Sequence, residues 1–350
     1  MKDPIVIGRR SVGTGQPTYI VAEISANHRQ KFEEAVKLVR AAKDVGADAV
    51  KVQTFTPDTI TLRSDREDFR VGGGTLWDGR TLYDLYEETH MPWEWQPKLK
   101  AVATDLGMDF FSSPFDSTAV EFLEKIGVPA YKVASFEIVD IPLIERIART
   151  GKPLILSTGM ATKEEIGEAV DAARGAGADQ IALLKCNSGY PAPPEEMNLR
   201  TMVDMRETFR LPIGLSDHTL GMEVSEAAVS LGASIIEKHF TLSRSVPGPD
   251  SAFSLEPSEF RALVQAIRVV EKSLGTVRYG VSPAERKSLP FRRSLFVVRD
   301  VTEGEVFTPD NVRSIRPGTG LHPRELKKIL GRKAAKDIAR GTPLSTELID

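Results

Sequence analysis

One cysteine in 350 residues, Cys186, leaves the chain unable to form an intrachain disulfide. No apolar run approaches the ~20 residues that span a bilayer, and Met1–Arg10 has no signal-peptide core. The expected location is therefore the cytoplasm. An excess of one charge is missing as well. Lys and Arg number 46 and Asp and Glu 49, a net charge of −3, which excludes a protein built as a whole to bind a polyanion. Gly72–Gly74 lacks the lysine and the spacing of a phosphate-binding P-loop and reads as flexible loop only. There is no low-complexity segment, and no internal repeat beyond an alternation of strands and helices. What remains, 41% hydrophobic and 27% charged, is an ordinary globular composition with room for one large domain and a small one.

That alternation is the informative feature. Eight short apolar runs follow turn signals and precede helical periodicity: Tyr19–Glu23, Ala47–Gln53, Met108–Ser113, Ala130–Ser135, Pro153–Ser157, Gln180–Lys185, Pro212–Ser216 and Ala233–His239. Helical spacing is clear over Phe32–Val45, Thr118–Ile126, Lys163–Ala176, Met222–Leu231 and Pro257–Leu274. Gly46, Gly107, Gly127, Gly177 and Gly232 stand where helices should close on a left-handed residue. Eight strand–helix units predict an α/β fold, a (β/α)8 TIM barrel, whose active site lies at the C-terminal ends of its strands. Each run ends on polar groups: Glu23, Lys51 and Gln53, Ser113, Lys132 and Ser135, Ser157, Lys185 and Ser188, Ser216 and His218, Glu237 and His239. They should converge on one mouth, which points to an enzyme.

The barrel is expected over residues 1–275, with a Gly-, Pro- and charge-rich linker at 276–291. Residues 292–350 change texture: a strand at Ser294–Val298, a helix start at Thr308–Asn311, a short helix at Pro323–Ile329 and a turn at Gly341–Pro343. With 12 Lys and Arg against 8 Asp and Glu, this small domain is net +4 while the rest is −7. It either covers the site of an anionic substrate or simply presents a solvated basic face. The connection from Thr54 to Pro92, carrying Trp77, Arg80 and a helical stretch at Leu82–Thr89, is long enough to be a lid or specificity element.

Lys51, Lys132 and Lys185 end three different strands and can point inward together. Unpaired ammonium groups inside a barrel mouth are costly, and an anionic ligand would remove that cost. Ser113, Ser135, Ser157, Ser188 and Ser216 add small donors of the kind that ring phosphate oxygens; any one of them alone would read as a turn residue. One lysine acting through a Schiff base is the alternative. His218 and His239 end consecutive strands about 4.8 Å apart and can share one divalent ion, with positions left for water or substrate. Satisfied mouth histidines are the bland alternative. Glu237 should face the same side as His239, and Glu23 is a candidate base, or else an ion-pair partner of a lysine. Cys186 reads as a packed thiol.

These residues stand in motifs that resemble the sialic acid synthase family of phosphoenolpyruvate-dependent nonulosonic acid synthases. The carriers are Ala22-Glu23-Ile24 with Asn27-His28, Val50-Lys51-Val52-Gln53-Thr54, Ser112-Ser113-Pro114-Phe115, Tyr131-Lys132-Val133-Ala134-Ser135, Tyr190-Pro191-Ala192-Pro193, Gly214-Leu215-Ser216-Asp217-His218-Thr219, Glu237-Lys238-His239-Phe240 and Pro247-Gly248-Pro249-Asp250. The tail, Phe291–Leu295 and Ser314–Gly318, is similar to that family's antifreeze-like SAF domain. The stretches Gly72–Gly79, Pro92–Trp95, Phe136–Asp140 and Asp250–Ser254 look most like the branch whose amino sugar is 2,4-diacetamido-2,4,6-trideoxy-L-altrose.

The resemblance implies condensation of phosphoenolpyruvate with an amino sugar and water, releasing phosphate by C–O cleavage. It implies a divalent cation, Mn2+ or else Mg2+ or Co2+, on His218 and His239. Glu23 and Glu237 would be catalytic, and Lys51, Ser113, Lys132, Ser135, Ser157, Ser188 and Ser216 would hold phosphoenolpyruvate. Gln53, Glu137, Tyr190, Asp250 and Arg316 would meet the sugar, Arg316 across a homodimer. A departure is Asn187-Ser188-Gly189, where relatives often carry Thr-Ser-Ala or Thr-Asn; Ser188 preserves the donor and the role of Asn187 is open. A neuraminic or legionaminic acid synthase, or a non-catalytic carbohydrate-binding protein with an SAF domain, are the other readings.

Overall fold

A computed structural model describes residues 3–350. The chain opens with an antiparallel hairpin, β1 (Ile5–Ile7) and β2 (Arg10–Val12), in which Ile5 faces Val12. Eight parallel strands follow: β3 (Tyr19–Glu23), β4 (Ala49–Thr54), β5 (Asp109–Pro114), β6 (Tyr131–Val133), β7 (Leu154–Ser157), β8 (Ile181–Cys186), β9 (Ile213–Asp217) and β10 (Ile235–His239). They close into a barrel in sequence order, β10 pairing with β3. The walls are almost wholly buried, as expected for parallel strands covered by helices outside and packed side chains inside.

Glycines at the five expected helix ends all have positive φ, from 69° at Gly127 to 102° at Gly177, the conformation that ends a helix cheaply only without a Cβ. Helix starts are capped as well: Asp116 caps Ser117–Ile126 through the N–H groups of Thr118 and Ala119, and Thr162 with Glu165 forms a capping box on Lys163–Gly175. At the N-terminal end of the barrel the hairpin is tied down by Arg10, which bonds Asp109 Oδ2 at 3.0 Å beside the Tyr19 hydroxyl at 2.9 Å.

Three expectations are corrected. The sixth strand stops at Val133, and Ser135–Glu137 is a 3-10 turn that swings Ser135 into the mouth. Within 276–291, Ala284–Phe291 forms a 3-10 helix rather than plain linker. Thr308–Asn311 is not a helix start: the Asn311 side chain accepts from Thr308 N–H at 2.7 Å, closing a turn into a strand.

The described residues form two compact units, one ending at Gly275 and one spanning Thr276–Asp350. The second holds an antiparallel pair, β11 (Ser294–Val297) and β12 (Val312–Ile315), over its own core of Leu295, Val297, Phe307, Ile329 and Leu344. No helix among the described residues is long and apolar enough to cross a membrane.

Candidate active site

Parallel register brings the strand-end groups to one level. Glu23 faces His239 on one side and Lys51 on the other, while Glu237 faces Ser216, which faces Cys186. Inside this ring the Lys51 ammonium ion-pairs with Glu23 and lies 3.3 Å from Glu237 and 3.4 Å from Ser113 Oγ. All three charged groups are buried. Burial pushes Glu23 up to about 7, with Lys51 opposing and Glu237 reinforcing the shift. Burial acts on Glu237 as well, but Lys132 and Lys51 outweigh it and hold that carboxyl below its usual value. The two carboxyls thus differ in surroundings: those of Glu237 favour its charged form, and those of Glu23 favour its protonated form.

Lys132 is 2% exposed, and its one hydrogen bond goes to the Val133 carbonyl at 3.2 Å. Burial pushes its pKa down. The hydroxyls of Ser157 and Ser188 are buried with no hydrogen-bond partner among the described residues, and Ser135 Oγ accepts from Gly159 N–H at 3.1 Å. A Cβ on Gly159 would collide with the hydroxyls of Ser188 and Ser135, so glycine keeps this cradle open. Ser216 donates to Glu237 at 3.4 Å. An ammonium group that acts on Glu237 without a direct ion pair, beside buried hydroxyls without partners, makes a lining suited to an anion.

Lys185 does not join this cluster. Cys186 points inward, its sulfur 3.8 Å from His218, so strand alternation turns Lys185 to the opposite face, where its ammonium bonds the Cys186 carbonyl at 2.8 Å.

The rings of His218 and His239 lie 5.3 Å apart. His218 Nδ1 donates to the Asn187 carbonyl at 2.8 Å, leaving Nε2 free. This gives Asn187 a role through its backbone. His239 Nδ1 is buried without a partner, and burial with the nearby charges of His218 and the lysines holds that imidazole well below its ordinary pKa, neutral and able to ligate. Burial lowers the His218 pKa, but Cys186, the Asn187 carbonyl and Glu237 outweigh it and raise it, so a divalent cation held by the two imidazoles would displace a proton from His218, with its other positions filled by small-molecule oxygens. No cluster of three or more His, Cys, Asp and Glu side chains suited to a cation occurs among the described residues.

Aromatic rings wall the histidine pair. Tyr190 lies 4.3 Å from His218, Phe253 is 5.1 Å from Tyr190 and 4.9 Å from His239, and Trp77 is 5.7 Å from Tyr190. The long connection reaches the site here, because Trp77 Nε1 donates to the Pro249 carbonyl at 3.1 Å. Glu137 has one carboxylate oxygen buried and unpartnered, and burial raises its pKa to about 7. Gln53 donates to Ser25 Oγ at 3.2 Å. Asp250 is buried and already engaged, accepting from the Ser25 hydroxyl and from Ala26 N–H at 3.2 Å. Arg316 belongs to the second unit, directly after β12, and is exposed.

Two participants had no useful sequence signal. Ser25 sits at positive φ just after β3 and joins Gln53 to Asp250, a role that no local pattern announces. Cys186, read as packing, sits inside the site. Burial raises its thiol, but His218, Ser135 and Lys132 more than offset this and bring it to about 7.

Residues 38–279 match the NeuB family and residues 292–350 the SAF domain. The chain is 46% identical over 336 residues to the pseudaminic acid synthase of Helicobacter pylori, covering 96% of this chain and 98% of that protein. It is 44% identical over 331 residues to the pseudaminic acid synthase of Campylobacter jejuni subsp. jejuni strain 81-176, covering 95% and 96%. Among solved structures, the spore coat polysaccharide biosynthesis protein SpsE of Bacillus subtilis superposes with a TM-score of 0.67 at 32% identity over 99% of both chains.

Proposed function

The chain belongs to the NeuB family, and on that premise we propose that it condenses phosphoenolpyruvate with 2,4-diacetamido-2,4,6-trideoxy-L-altrose and water to give pseudaminic acid and phosphate. The observation that carries this reading is buried Lys132, which makes no direct ion pair among the described residues, beside the unpartnered hydroxyls of Ser157 and Ser188. Such a site accepts a small dianion in a mouth that also holds a base.

Lys132 with Ser135, Ser157, Ser188 and Ser216 cradles the phosphate and carboxylate of phosphoenolpyruvate, and Lys51 and Ser113 complete the ring. The C3 carbon of phosphoenolpyruvate forms a bond to the aldehyde carbon of the open-chain sugar, and the aldehyde oxygen takes up a proton. A divalent ion such as Mn2+, Mg2+ or Co2+ on His218 and His239 would supply Lewis-acid polarisation of that oxygen. Cationic character develops at C2, and ionised Glu237 faces it. Water adds to C2, giving up its proton to Glu23, whose pKa of about 7 suits a base at neutral pH. The resulting tetrahedral carbon expels phosphate by C–O cleavage: its hydroxyl proton leaves with the phosphate, the ketone remains, and the water proton taken by Glu23 replaces the one gained by the aldehyde oxygen.

Trp77, Tyr190 and Phe253 form an apolar wall suited to a 6-deoxy sugar. Glu137 and Gln53 meet its polar groups, with Asp250 held in place by Ser25. Arg316, supplied by the partner chain of a homodimer, binds an acetamido group. Phosphate release measured across candidate amino sugars tests this reading. The diacetamido altrose should exceed N-acetylmannosamine by about 100-fold in kcat/KM. Equal use of both would replace it with a neuraminic acid synthase, and no phosphate release with any sugar would leave only a binding protein.

A further inference from the structure

An ion pair between Asp217 and Lys238 lies on the far side of the barrel wall from the site. Each residue directly precedes one of the two histidines, and the two face each other across β9 and β10. Strand alternation turns His218 and His239 into the mouth and these two outward, toward the helix Glu223–Ser230. Lys238 Nζ donates to Asp217 Oδ2 at 2.8 Å and to the Thr219 carbonyl at 2.7 Å. Ser225 Oγ donates to Asp217 Oδ2 at 2.6 Å, and Thr219 donates to Oδ1 through its N–H at 2.9 Å and its hydroxyl at 2.7 Å. Asp217 and Lys238 are each 1% exposed, and Thr219 and Ser225 are 0% exposed.

Stability does not explain this device. A buried ion pair seldom stabilises a fold more than apolar residues of the same volume, and Leu215 and Ile236, one step earlier on the same strands, serve the wall without charge. No substrate in the mouth can reach it. Its geometry has a different consequence. Pairing of β9 with β10 ends at Asp217 and Lys238, so the pair locks the register at the last step before both histidines. Bonds from Asp217 and Lys238 to both N–H and C=O of Thr219 also clamp the turn that follows His218. His218 is thereby fixed by the residues on either side of it.

We infer that Asp217 and Lys238 are positioning residues that set the separation of the His218 and His239 imidazoles and, through it, the cation affinity of the pair. This rests on the reading of those histidines as cation ligands.

The test compares full-length wild type with Asp217→Asn/Lys238→Met, which removes both charges with little change in volume. Mn2+ affinity is measured by titration calorimetry and thermal unfolding in metal-free buffer. The double variant should melt close to wild type, bind Mn2+ about 10-fold more weakly, and keep its KM for phosphoenolpyruvate at saturating Mn2+. A purely structural role would instead lower the melting temperature and leave the affinity of the folded protein unmoved. Thr219→Val, which deletes one hydrogen bond to Asp217, covers the case of a double variant that does not fold, with an expected loss of about 3-fold. Unchanged Mn2+ affinity in the folded variant overturns the inference while leaving the metal reading intact. Wild type that binds no Mn2+, or whose binding survives His218→Ala, overturns the metal reading and this inference with it.

Discussion

The Lys51 ammonium ion-pairs with the Glu23 carboxylate at adjacent strand ends, both inside the barrel mouth. This places a carboxyl raised to about 7 by burial at the centre of the ring. Glu23→Gln preserves size and hydrogen bonding but cannot take a proton. Its kcat should fall about 10²–10⁴-fold with KM for phosphoenolpyruvate nearly unchanged. Steady-state kinetics reads both, and a loss of kcat below tenfold would assign the water to another group.

Glu137 gives a pH dependence with a definite sign. Its folded pKa, about 7, lies above the ordinary value of 4.5. Between those values the folded, ligand-free protein holds a proton that the unfolded chain has lost, so stability declines as pH rises through that window and levels off above about 7. Relative to Glu137→Gln, wild type should therefore lose melting temperature between pH 5 and pH 8. Parallel profiles for the two proteins would show that the carboxyl is not held protonated.

Chelation should abolish turnover, and added Mn2+ should restore it. His218→Ala and His239→Ala, each removing one of the two imidazoles that lie 5.3 Å apart, should not recover at metal levels that saturate wild type. Full turnover in rigorously metal-free buffer would remove the cation from the mechanism.

An arginine donor to an acetamide carbonyl is worth about 1.5–3 kcal/mol. Arg316→Ala should accordingly weaken sugar affinity by roughly 10- to 100-fold and spare phosphoenolpyruvate. If Arg316 acts across a homodimer, as proposed, mixing Arg316→Ala with His239→Ala protomers should recover part of the activity, because one site in the mixed dimer then has an intact barrel and an intact arginine. A mixture as inactive as its parents, despite demonstrated subunit exchange, would place Arg316 in its own chain's site or in none.

The barrel was legible because continuous apolar runs, helical spacing between them and closing glycines all agree, as at Gly127. The mouth was legible because parallel strands end together, which brings Glu23, Lys51, Glu237, His218 and His239 to one place. Direction at the strand ends was harder. Lys185 reads like Lys51 in sequence, yet the inward turn of Cys186 sends it to the other face. The engagement of Asp250 by Ser25, and of Asp217 by Thr219 and Ser225, depends on loop and helix contacts that no local pattern encodes.

The fate of the bridging oxygen of phosphoenolpyruvate tests the chemistry at its centre. The full-length protein is incubated with phosphoenolpyruvate, the diacetamido altrose and Mn2+ in 18O-labelled water, and product and phosphate are analysed by mass spectrometry. If water attacks C2 beside Glu23, the label enters the C2 oxygen of the sugar acid and the released phosphate keeps the bridging oxygen unlabelled. Label in the phosphate would mean P–O cleavage and would contradict the role assigned to every residue around C2.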